Sequence, residues 1–149
     1  MKINLYKSIS TLFGLGYISS LPGTLASLVT TIIIWLFQTN FNSTITIIFI
    51  LFSSFIGYLA VTNNDNTKKD SKEIVIDEFI GQSLVLVFLP LTFKDYFLGF
   101  IFFRIFDIFK PIPINYFERK YRNAFGVIFD DVIAAGYALL SIYIINSII

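Results

Sequence analysis

TLASLVTTIIIWLFQTNFNSTITIIFILFSSFIGYLAVTNN, residues 24–64, holds no Asp, Glu, Lys or Arg, and the uncharged run extends back to Ser8. A water-soluble fold rarely leaves so long a span without charge. About 20 apolar residues cross the hydrocarbon core of a bilayer, so this run is long enough for two crossings. Two hydrophobic segments fill it, Thr24 to Phe37 and Ser43 to Thr62, and the polar pair Asn40 and Asn42 marks the turn between them. The segments are continuously apolar. A transmembrane barrel strand would alternate with period two, so the run reads as helices.

Further along, a third apolar segment covers about Ile74 to Phe93, and Lys94 and Asp95 make a short turn. A fourth covers Tyr96 to about Phe109, stopped by Pro111 and Pro113, and a fifth runs from Phe125 to the C-terminus. The stretch 13–24 is too rich in Gly, Ser and Pro for an undisturbed helix. Lys2 and Lys7 give the chain a basic start, but Gly14, Gly16 and Pro22 interrupt the apolar run behind them and no small-residue cleavage site appears, so no signal peptide is expected. The expected fold is all-α, a polytopic membrane bundle of about four to five embedded helices, some short or re-entrant. Residues 1–149 form one domain at this length.

Composition agrees and narrows the chemistry. The chain is 56% hydrophobic and 14% charged, whereas soluble domains average about 25% charged residues. A net charge of +1, spread without a basic stripe, argues against a nucleic-acid partner. With neither Cys nor His, thiolate sites, disulfides and phosphohistidine intermediates are excluded. Any reaction must use Asp, Glu, Lys, Arg, Ser, Thr or Tyr.

Loop charges give an orientation. Lys2 and Lys7 precede the first segment, Lys68, Lys69 and Lys72 lie between the second and third, and Arg119, Lys120 and Arg122 lie between the fourth and fifth. Basic loops favour the cytoplasm, so the N-terminus is expected inside and the C-terminus outside. That arrangement brings Asp77, Glu78, Asp107, Asp130 and Asp131 to one membrane face. Gly126, Asp130, Ala134 and Ala138 recur at i+4 as a stripe of small residues, which turns Asp130 towards the bundle. Arg104, Asp107 and Lys110 share a helix face.

An Asp at membrane depth is costly, about 2.5–3.5 kcal/mol on insertion scales, and clustered carboxylates repel unless a cation joins them. Hard oxygen donors suit Mg²⁺ with substrate phosphate completing its shell, and Arg104 and Lys110 are placed to grip that phosphate. Plainer readings exist for each piece. Arg104–Asp107 suits a simple i,i+3 pair, Asp77–Glu78 suits a helix start, and Pro22-Gly23-Thr24 is an ordinary helix opening. A cation or proton carrier would distribute its acids through the membrane, whereas these gather at one depth. A non-catalytic membrane subunit would need no such cluster.

FGLGYISSLPGT (13–24), IVIDEFIGQ (74–82), FRIFDIFKPIPI (103–114) and FGVIFDDVIAAGYA (125–138) together resemble the phosphatidylglycerophosphatase A family, in its order and spacing. The resemblance covers nearly the whole chain. It implies Mg²⁺-dependent hydrolysis of phosphatidylglycerophosphate to phosphatidylglycerol and phosphate, the last step of phosphatidylglycerol synthesis, in the bacterial inner membrane with the site facing the cytoplasm. Carried over by position, it implies Asp77, Glu78, Asp107, Asp130 and Asp131 as the acidic centre, with Asp77, Glu78, Asp130 and Asp131 holding metal. Arg104, Lys110 and Thr24 would contact the phosphate of the lipid substrate. Water attack and an aspartyl-phosphate route both stay open, as does the oligomeric state. Two departures concern backbone freedom: Asn123, Ala124 and Phe125 stand where the family often has a Gly pair, and Ala26 and Ser27 where it often has Gly-Thr.

Overall fold

In a computed structural model, which describes residues 4–64 and 71–148, every regular element among the described residues is helical. Lys2, Lys68 and Lys69, used above for orientation, lie outside the described residues. Asn4 caps a short α1 (Leu5–Ser10), its side chain accepting from the Lys7 amide. Leu12, Phe13 and Gly14 then take positive φ values of 49°, 57° and 94°, a reversal that ends in a single 3₁₀ turn at Leu15–Tyr17. Gly16 is required in that turn, because a Cβ there would overlap the Glu73 carbonyl.

The long helices obey their local signals. α2 (Pro22–Asn40) opens with Pro at its first position, where no amide is needed. α3 (Ser43–Thr62) coincides with the expected second segment, and Asn42 caps it by accepting from the Ile45 amide at 2.9 Å. The expected third segment is too long. α4 covers only Ile76–Val87, because the chain turns before Pro90 and Thr92 already caps α5 (Phe93–Phe109). Lys94 and Asp95, expected as a turn, are therefore the first turn of α5. The Thr92 hydroxyl donates to Asp95 Oδ2 at 2.5 Å and accepts from the Asp95 amide at 3.1 Å. Lys110, at φ 42°, closes α5 in the left-handed region. The basic loop holds a further short helix, α6 (Ile114–Lys120), and α7 runs Ala124–Ile148.

α4 is the hub. Eight of its twelve residues are buried, which only a helix surrounded on all sides achieves, and α2, α3, α5 and α7 all pack on it. Small residues make the close contacts: a Cβ on Gly81 would lie 2.6 Å from the Phe103 ring, and one on Gly57 2.8 Å from Ile76. The stripe Gly126, Asp130, Ala134 and Ala138 is buried, as its spacing indicated. Outward, Ile48, Leu51, Phe52, Phe55, Phe97 and Leu140 are exposed large apolar side chains, which suits a lipid-facing belt and no aqueous surface.

By length and composition α2, α3 and α7 can each cross a membrane. At about 1.5 Å per residue, α4 spans about 18 Å and α5 about 25 Å, short of a core about 30 Å thick. They form a hairpin whose ends return to one side, as the charge pattern anticipated for the third and fourth segments. The start of α2, end of α3, start of α4, end of α5 and start of α7 therefore share one end of the bundle. Orientation is testable because the chain has no Cys. A membrane-impermeant maleimide is expected to label Ser71→Cys from the cytoplasmic side only and Asn40→Cys from the opposite side only; labelling of both from one side would overturn the topology.

Candidate active site

A cavity of about 950 Å³ opens at the end of the bundle where these helix termini meet. Every expected site residue lines it: Thr24 from α2, Asp77 and Glu78 from the first turn of α4, Arg104 and Asp107 from the last turns of α5, Lys110 just beyond, and Asp130 and Asp131 from α7. Residues far apart in sequence thus arrive from four different helices. Asp107, Asp130 and Asp131 are buried, at 9%, 4% and 3% exposure.

Within the cavity the charges sort into three groups. One oxygen from each of Asp77, Glu78 and Asp131 lies within 4.8 Å of the others. Asp77 Oδ1, Glu78 Oε2 and Asp131 Oδ2 are buried with no hydrogen-bond partner. Arg104 forms the second group. Its Nη1 donates to Asp107 Oδ2 at 2.6 Å and to Ser27 Oγ at 3.4 Å, and stands 4.0 Å from Glu78 Oε1, while its Nε is buried and unpartnered. The third group is centred on Lys110, whose Nζ donates at 2.7 Å to both Asp130 Oδ2 and Glu118 Oε1. Burial pulls the Lys110 ammonium towards a lower pKa, but Asp130 and Glu118 outweigh it and hold the pKa above its usual value. Lys110 is therefore a permanent cation.

Buried, unpartnered carboxylate oxygens in this density carry a large desolvation penalty unless protons or a cation compensate. Three hard oxygen donors converging on one point fit a divalent ion such as Mg²⁺, and Asp77, Glu78 and Asp131 are the residues that would hold it. Asp130, expected among the metal ligands, stands apart from this trio with its carboxylate engaged by Lys110. The plain pairing weighed for Arg104 and Asp107 exists as well, and it keeps Arg104 at the site.

Gly23, in the PGT turn singled out in the sequence, lets the start of α2 touch the acids, since a Cβ there would overlap the Glu78 carboxylate. One contributor escaped sequence reasoning. Glu118 had no legible signal, because α6 reads as loop in the sequence and its partner lies eight positions earlier across a turn. The two departures from the family pattern also find roles. Asn123 accepts from the Gly126 amide at 3.0 Å at the start of α7, and Ser27 meets Arg104.

Comparison with known proteins gives a consistent picture. Phosphatidylglycerophosphatase A of Haemophilus influenzae is 39% identical over 151 residues, covering 97% of this chain and 93% of its own. Phosphatidylglycerophosphatase A of Escherichia coli is 34% identical over 137 residues, 90% of this chain and 79% of its own. A Bacteroides thetaiotaomicron protein, 30% identical over 150 residues (95% and 93%), is provisionally named a phosphatidylinositol-3-phosphatase. No solved structure matches. With the family described as phosphatidylglycerophosphatase A matching residues 8–146, which contain all four stretches that build the cavity, this chain belongs to the phosphatidylglycerophosphatase A family.

Proposed function

We propose that this protein is a Mg²⁺-dependent lipid phosphate monoesterase of the bacterial inner membrane, hydrolysing phosphatidylglycerophosphate to phosphatidylglycerol and inorganic phosphate at the cytoplasmic face. The reaction would complete phosphatidylglycerol synthesis. One observation carries the reading: Asp77, Glu78 and Asp131, each with a buried unpartnered oxygen, bring one oxygen apiece to within 4.8 Å of one another beside Arg104, in a cavity at the end of a lipid-embedded bundle. Anion-seeking and cation-seeking groups left open side by side suit a metal and a phosphate together. The substrate class comes from the family and its named relatives.

When bound, Mg²⁺ supplies charge neutralisation at the phosphate and a lowered pKa for a water; Asp77, Glu78 and Asp131 would hold it. The chain's own groups do the rest. Arg104 presents its guanidinium charge to the phosphoryl oxygens while Asp107 fixes its orientation. Lys110, tethered by Asp130 and Glu118, adds a fixed positive charge where negative charge grows in the transition state. Thr24 and the first amides of α2 face the phosphate, as helix starts favour anions. Water oxygen bonds to phosphorus, the phosphorus–glycerol oxygen bond breaks, and the departing alkoxide takes up a proton from a solvent water. One carboxylate outside the trio, Asp107 or Asp130, would act as general base and receive the proton the water loses.

The deciding experiment is phosphate release from phosphatidylglycerophosphate by purified protein in detergent. Release is expected with Mg²⁺ and none with EDTA, and Asp131→Asn is expected to lose at least about 100-fold in kcat. A folded preparation that releases nothing would overturn the reading. Mg²⁺ is also expected to raise the melting temperature of the wild type and leave that of Asp131→Asn unmoved. Gly23→Ala should lower kcat/KM by about ten- to a hundredfold, because it displaces the Glu78 carboxylate; unchanged kinetics would show that Glu78 is not held by this contact.

A further inference from the structure

The cations lining the cavity fall into two sets. Arg104 and Lys110 are partly buried and bonded to acids, as described. Lys72, Arg119 and Arg122 are exposed at the mouth of the same cavity, and the ion pairs among the described residues involve none of them. Their neighbour Lys120 is differently placed: it lies over the rings of Tyr116 and Tyr121, 5.3 and 5.5 Å from their centroids. Arg119 and Arg122 are thus the cations that the end of α6 and the link to α7 leave free for something else.

That link is built, not slack. Tyr121 stacks on Phe117 at 6.0 Å and meets Phe125 edge-on at 5.8 Å. Its carbonyl lies so close to Gly126 that a Cβ there would overlap it. Gly126, Tyr121 and Asp130 all line the cavity, so the packing that fixes the start of α7 also fixes the flank carrying Arg119 and Arg122. Lys72 faces the mouth from the approach to α4.

We infer that Lys72, Arg119 and Arg122 form a second anion site that holds the phosphodiester of the same lipid, one glycerol unit away from the monoester being cleaved. This rests on the function proposed above and extends it to substrate choice. A lipid with a single phosphate fills only the inner site. A diester that stays at headgroup level while its monoester reaches the carboxylates passes the exposed cations, where Arg forms bidentate pairs with phosphate. The outer set binds and does no chemistry, so its contribution belongs in KM and not in kcat.

The test uses the full chain in neutral-detergent micelles, where attraction to a charged bilayer is absent, with phosphatidylglycerophosphate as substrate and inorganic phosphate as inhibitor. Arg119→Gln/Arg122→Gln is expected to raise KM about tenfold, with kcat and the inhibition constant of inorganic phosphate held near wild type. Lys72→Gln should shift KM in the same direction. The single arginine variants, each with a smaller shift, decide the matter if the double variant fails to fold. An unchanged KM overturns the second site. KM and the phosphate inhibition constant rising together, or a loss confined to kcat, overturns it too. Absence of phosphate release from wild-type protein is a different result and sinks the underlying function instead.

Discussion

Mutual repulsion among Asp77, Glu78 and Asp131 is the constraint around which this bundle is organised. Three carboxylates with oxygens within 4.8 Å of one another push apart, and a cluster of this kind persists only where surrounding structure holds it. α4 does the holding. It is short, buried nearly all round and gripped by four other helices, so its first turn has little freedom to retreat. Gly81 completes the arrangement, since the Phe103 ring and Asp131 Cβ would lie within 2.6 and 3.0 Å of any Cβ placed there. Small residues in the interior are thus what bring the acids together.

The cations are arranged to share this burden without cancelling it. Arg104 is anchored to Asp107 and Lys110 to Asp130 and Glu118, and neither makes a short bond to the trio. Had either sat directly on Asp77 or Asp131, the oxygens of the trio would have been consumed in internal pairing. Buried ion pairs contribute little net stability once desolvation is counted, so their place here is better understood as orientation: each fixes a positive charge at the rim of the acidic centre.

Much of this was legible in the sequence, for reasons that particular residues make plain. An uncharged run from Ser8 to Asn64 admits few folds, and Asn42 fixed the start of α3 because its cap is local chemistry. The spacing of Gly126, Asp130, Ala134 and Ala138 revealed the facing of α7 because helical periodicity is a property of one element. Boundaries set by tertiary context were not legible. Thr92 capping α5 shortened α4, and α6 was hidden in a segment that reads as a basic loop. Asp130 and Asp131 are adjacent in sequence and equivalent in type, and only the third dimension separates them, one towards Lys110 and the other towards Asp77 and Glu78.

At the end of the bundle away from the cavity, Asn146 donates to Asp95 Oδ1 at 2.9 Å and accepts from Lys94 at 3.2 Å. At the other end Asn123 and the Gly126–Tyr121 contact pin the start of α7. The helix is therefore clamped twice, like a shaft between two bearings, with the aspartate pair mounted near one of them. Each residue of an α-helix turns the next by about 100°, so one residue added or lost between Asp131 and Asn146 would set the two clamps at odds. Either the far tether parts or the aspartates swing out of line. The distant polar knot, which touches nothing in the cavity, thereby acts as the angular reference for the acids within it.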